Sequence, residues 1–137
     1  MKIYILREEC WDWTETLGVY SESGKERMFQ EYITQAKVKR NEEILTRTLE
    51  LNKLREQRRM LCIKDQNEDV PIQQALKASG DGIALKAFRK QRKANLKEIE
   101  RITSKVWHEE FEISKLEKLD DNGLFTKYFP HLEFSRT

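Results

Sequence analysis

A stretch of forty residues without glycine or proline, residues 25–64, constrains this chain more than any other feature. Gly and Pro are the residues that most often interrupt helices, and the whole chain of 137 residues holds only five Gly and two Pro. Charged residues make up 36% of the sequence and apolar residues 38%, a balance that favours long solvated helices over a β-sandwich. A helix of this length extends about 60 Å.

The spacing of apolar residues supports this first helical arm, predicted over residues 24–64, with Ser23 as its N-cap and Glu26 completing a capping box. Arg47 and Arg58 interrupt an apolar heptad pattern farther along the arm. The pattern predicts a short coiled-coil seam, and therefore a candidate interface, whose apolar members are Ile44, Leu51, Leu54 and Leu61.

A second helical arm follows over residues 71–104 and is predicted to be broken. Residues 65–71 are polar and acidic and end in a proline, so the chain is expected to reverse there. A short helix is expected to stop at Gly80, and Asp81 is placed to cap the next one. A reversal this short favours pairing of the two arms within one chain.

Both ends of the chain carry β-forming patterns. Two segments rich in β-formers predict a hairpin within residues 1–22, and the alternation over residues 106–113 predicts a strand that joins it. The rest of residues 105–137 is expected to pack on this sheet. The predicted fold is a single α+β domain, mostly α: a long helical hairpin with a small antiparallel sheet formed by the N-terminal hairpin and a C-terminal strand.

Charge is unevenly distributed despite the net charge of +2. Residues 86–105 hold eight basic and two acidic side chains, whereas residues 1–36 hold four basic and seven acidic. The basic run is a candidate nucleic-acid surface, and the alternative is a solvated helix face.

A narrower hypothesis places a nucleotide pocket between the arms, with an aromatic ring under the base and arginines on the phosphates. The alternative is that these polar positions fix the register of a helical interface. The candidate ligand-binding residues are Phe88, Arg89, Arg92, Asn95, Arg47 and Arg58. Trp11 and Trp13 are candidate partner contacts, or else they close the small core.

The sequence contains no motif of a catalytic or metal site. The only histidines are His108 and His131, without an HExxH pattern, and there is neither a Gly-rich phosphate loop nor a GxSxG elbow. We therefore expect a protein that is not an enzyme, with no metal and no cofactor, the alternative being an enzyme built around His108. The absence of a long apolar run and the early charges predict a cytoplasmic location and no membrane partner.

The opening residues 2–9, the segment Leu17-Gly18-Val19-Tyr20-Ser21 and the charged helix after it resemble the start of small phage and prophage accessory proteins. Within that group the chain is similar in outline to the anti-Thoeris sponges that sequester cyclic ADP-ribose signals. The resemblance covers roughly the first 35 residues. It implies an N-terminal antiparallel sheet, long helices and a homo-oligomer.

These observations lead to two functional hypotheses. The first is a non-enzymatic, oligomeric binding or inhibitor protein, encoded by a phage and present in the host cytoplasm, which sequesters a nucleotide signal or blocks a host protein. The alternative is a nucleic-acid-binding module that uses the basic helix 86–105.

Overall fold

The computed structural model describes residues 2–136 and is 76% helical. In chain order the elements are β1 (Ile3–Cys10), β2 (Trp13–Ser21), α1 (Glu22–Lys64), a π-helical segment (Asp65–Asp69), α2 (Val70–Ser79), α3 (Gly82–Glu117), α4 (Asp121–Tyr128) and β3 (Leu132–Arg136). The predicted fold class is confirmed, because a mostly helical chain carries a small antiparallel sheet made by its two ends.

The sheet has three strands in the order β2-β1-β3, and both outer strands run antiparallel to β1. The fully buried side chain of Leu6 lies at its centre. The C-terminal strand is therefore present, but its predicted position at residues 106–113 is wrong, since β3 lies at Leu132–Arg136.

Residues 106–113 are helical and belong to α3. Val106 is 1% exposed and Ile102 is 3% exposed, and both pack against Leu51 and Leu54 of α1. Ile113, two helical turns beyond Val106, packs against the same cluster. The apparent alternation is the continuation of this helical stripe, which buries one side of α3 without interruption.

The expected reversal at residues 65–71 is also wrong. The π-helical segment joins α1 to α2, and the Val70 backbone N–H donates to the Asp65 carbonyl five residues earlier. A π turn is wider than an α turn, which gives the Pro71 ring room against the preceding carbonyls. The polar residues do not stop the helix, because Asp65 is buried and bonded within the fold.

The chain instead reverses at Gly80, where the sequence predicts a helix stop but not a reversal. Gly80 has φ of 74°, a left-handed conformation that closes α2. The Asp81 side chain then accepts a hydrogen bond from the Ala84 N–H at 3.1 Å, which caps α3 as predicted. At the start of α1 the cap differs from expectation, since Ser21 Oγ rather than Ser23 accepts from the Gly24 N–H at 3.2 Å.

The chain divides into two compact units, here called the sheet unit (Met1–Leu45 and Lys115–Thr137) and the hairpin unit (Thr46–Ser114). In the sheet unit, Ile33 and Ala36 of α1 pack with Leu124 of α4. Burial and a 2.7 Å hydrogen bond to the Glu43 carboxylate raise the pKa of Tyr128 to about 12. In the hairpin unit the core is the α1–α3 cluster of Leu51, Leu54, Ile102 and Val106.

The left-handed conformation of Gly80, in the turn between α2 and α3, can be tested by substitution. Gly80→Ala should lower the free energy of unfolding by about 1 kcal/mol, because a Cβ disfavours left-handed geometry even though no atom lies within 4 Å of its position. Urea denaturation followed by circular dichroism measures this change. Gly82→Ala is the matched control, also in open space but without a positive φ, and should not lower stability. Equal effects of the two substitutions would contradict the assigned turn geometry.

Candidate functional site

The core of the hairpin unit fixes the rotation of α3 and thereby decides which side chains face solvent. Ile102 and Val106 point toward α1, so residues half a helical turn away point outward. Spacings of four, three and four residues place four lysines on that outward side, and all four are exposed. We call Lys86, Lys90, Lys93 and Lys97 the basic row; it rises about 16 Å along α3.

In the part of the chain that the structure describes, the basic row has no carboxylate paired with it. Residues 82–97 contain no acidic side chain, and within residues 2–136 none of the four lysines forms an ion pair. Ile83, 88% exposed, lies at the start of the row, and Ala87 and Ala94 lie beside it.

Arg92, the central residue of the predicted nucleotide pocket, faces the opposite way. Its Nε and Nη2 donate to the two carboxylate oxygens of Asp65 at 2.8 and 3.1 Å, and its Nη1 donates to Gln73 Oε1 at 3.2 Å. Asp65 is 5% exposed, and the bonds from Arg92 hold the pKa of its carboxyl below the usual value. The Asp65 carboxylate thus takes the position that a ligand phosphate would need.

Arg47 is also paired with a carboxylate, since its Nη1 donates to the Glu109 carboxylate oxygens at 3.1 and 3.3 Å. Phe88 and Asn95 are half-buried on the Arg92 side of α3, Arg58 is half-buried on α1, and Arg89 is exposed. The structure places five of the six candidates on buried or half-buried positions. Only Arg89 lies on the exposed surface near the basic row.

No protein-family model, curated protein or solved structure matches this chain. The site is therefore defined by its own side chains. Among the described residues, no helix is both long and apolar enough to cross a membrane. Nor do residues 2–136 bring three His, Cys, Asp or Glu side chains together in a way that would hold a metal ion.

The candidate interface residues divide into two groups. Leu51 and Leu54 are 4% and 8% exposed within the α1–α3 cluster, and Leu61 packs against it, so contacts inside one chain account for their burial. Ile44 is half-buried in the sheet unit. Trp11 and Trp13 are 98% and 45% exposed at the tip of the β1–β2 hairpin, so they do not close a core there.

Sequence reasoning missed two features of the hairpin unit. One is the burial of Asp65, because the polarity of residues 65–71 predicts a loop. The other is the aromatic pair Trp107 and Phe111, 66% and 61% exposed on a helix in a segment for which the sequence predicts a strand. The signal for this pair was present, because the helical stripe of residues 99, 102 and 106 continues to 113.

The Asp65–Arg92 pair should contribute to stability in a pH-dependent way. Asp65→Asn leaves Arg92 without its charged partner and should lower the free energy of unfolding at pH 7 by about 1–3 kcal/mol. Because the folded-state pKa of Asp65 is lowered, the contribution is complete above the unfolded value of about 3.9 and is lost as pH falls through the folded value. Denaturation at pH 7 and at pH 3 measures the difference, which should shrink at the lower pH.

Glu98→Gln is the control for this measurement. It removes the carboxylate partner of Arg101 in an exposed pair, with Arg101 Nε donating to Glu98 Oε2 at 2.9 Å. An exposed pair of this kind contributes little to stability, because solvent screens it. If Asp65→Asn were no more destabilising than Glu98→Gln at pH 7, the Asp65–Arg92 pair would have no special structural role.

Proposed function

We propose that this chain is a non-enzymatic binding protein whose ligand is nucleic acid, held by its phosphates on the basic row of α3. The observation that carries this proposal is the absence of any carboxylate partner for Lys86, Lys90, Lys93 and Lys97 within the described residues. Two of the four arginines expected to bind a small nucleotide, Arg92 and Arg47, are instead paired with Asp65 and Glu109.

The charge pattern of the basic row is unfavourable for the isolated helix. Like charges three or four residues apart destabilise a helix by a few tenths of a kcal/mol per pair. Four lysines in succession, with no acidic residue among residues 82–97, repeat this repulsion along the row. A polyanion removes the repulsion and releases its own counterions, so binding should be favourable and strongly dependent on salt.

A polyphosphate backbone fits this surface better than a compact anion. The row is about 16 Å long, and its four lysines lie along one solvent-exposed side of a single helix, so it matches an extended ligand in length. Flexible lysine side chains act as point charges and tolerate variable phosphate positions. The anti-defence role implied by the resemblance and the homo-oligomer remain predictions, and this proposal depends on neither of them.

Removing part of the basic row tests the proposal. Lys90→Ala combined with Lys93→Ala should weaken binding to oligonucleotides of about twelve nucleotides by roughly tenfold at low salt. The slope of log affinity against log salt concentration should fall in magnitude by about two, one for each lost phosphate contact. Fluorescence anisotropy across a salt series measures both quantities.

Lys37→Ala combined with Lys118→Ala is the control, because it removes the same charge from exposed positions of the sheet unit. Its affinity and salt slope should match those of the unmodified protein. Equal losses in the two double variants would mean that net charge alone governs binding. A blank result with every oligonucleotide at low salt, or equal affinity for anionic phospholipid vesicles, would overturn the proposal.

A further inference from the structure

The outward side of α3 does not end with the basic row. Trp107 and Phe111 lie one helical turn apart farther along the same helix and are 66% and 61% exposed. His108 is exposed between them. The neighbouring Val106 is buried against α1, which fixes the rotation of α3 and turns the two rings toward solvent.

Two rings exposed on one short stretch of a helix need an explanation. Burying a large aromatic side chain is strongly favourable, and the α1–α3 core of the same unit is built from Leu, Ile and Val only. The rings sit in line with unpaired lysines, so the surface combines positive charge with flat apolar faces. A partner that matches both features carries phosphates and unstacked bases.

We propose that the basic row and the pair Trp107 and Phe111 form one surface that binds single-stranded nucleic acid in preference to duplex. The lysines hold the phosphates, and bases splayed from the strand stack on the two rings. In a duplex the bases are already stacked inside the helix and cannot reach the rings. This inference rests on the proposed function and adds to it the form of the nucleic acid.

The dimensions of the surface agree with such a ligand. Lys86 and Phe111 are 25 residues apart on α3, which corresponds to about 37 Å. Single-strand binding sites commonly span about 4–16 nucleotides. Glu100, exposed between the lysines and the rings, is a carboxylate that opposes the phosphates, so Glu100→Gln should increase affinity for both forms.

Fluorescence anisotropy measures the affinity of the unmodified protein and of the variants Trp107→Ala and Phe111→Ala. The ligands are a twelve-nucleotide single strand, in DNA and RNA forms, and the matching DNA duplex. Each substitution should weaken single-strand binding by about tenfold. Binding to the duplex should change by less than about twofold, because only phosphate contacts operate there. Trp11→Ala is the control, since Trp11 is 98% exposed in the sheet unit, and should change neither affinity.

A second measurement detects stacking directly. In the double variant Trp11→Phe with Trp13→Phe, Trp107 is the sole tryptophan, and its fluorescence should be quenched by the single strand and not by the duplex.

If the Lys90 and Lys93 substitutions weaken binding while Trp107→Ala and Phe111→Ala do not, the stacking surface is refuted and the phosphate-binding function stands. If no oligonucleotide binds at low salt, both proposals fail.

Discussion

The packing of Leu51 and Leu54 of α1 against Ile102 and Val106 of α3 is the interaction on which the proposed binding surface depends. Burying an aliphatic side chain of this size contributes about 1.5–3 kcal/mol. The packing of these four side chains also fixes the rotation of α3 about its own axis. A helix with that rotation presents its lysines, and then its two aromatic rings, on the side away from α1, so the surface chemistry follows from the apolar seam.

Two arginines of the hairpin unit and the four lysines of the basic row lie in different environments. Arg47 and Arg92 face the core and pair with Glu109 and Asp65, whereas the outward row is made entirely of lysine. A guanidinium group binds a carboxylate through two parallel hydrogen bonds and is weakly hydrated, which suits a half-buried pair. An ammonium group is strongly hydrated and favours solvent. The total charge of residues 86–105 is therefore larger than the charge that a ligand could contact.

Local signals predicted the parts of the fold that depend on local chemistry. The long helix, the β1–β2 hairpin, the stop at Gly80 and the cap at Asp81 could all be predicted from spacing and turn preferences. Asp65 could not, because its burial depends on Arg92, 27 residues away, and a polar run ahead of a proline is normally a loop. The third strand was misplaced for a related reason: over eight residues, an apolar stripe with helical spacing resembles a β alternation.

Misreading residues 106–113 as a strand also separated the aromatic pair from the basic run. In a strand of the sheet, Trp107 and Phe111 would belong to a different part of the fold from the lysines. In α3 they continue the same outward side, and one helix carries both the lysines and the exposed aromatic rings. Lysines alone cannot distinguish single strands from duplex, since both present phosphates. Any preference for one form must therefore arise from the two rings. Under the proposed function, the residues that set the strength of binding and those that select the form of nucleic acid occupy different parts of α3.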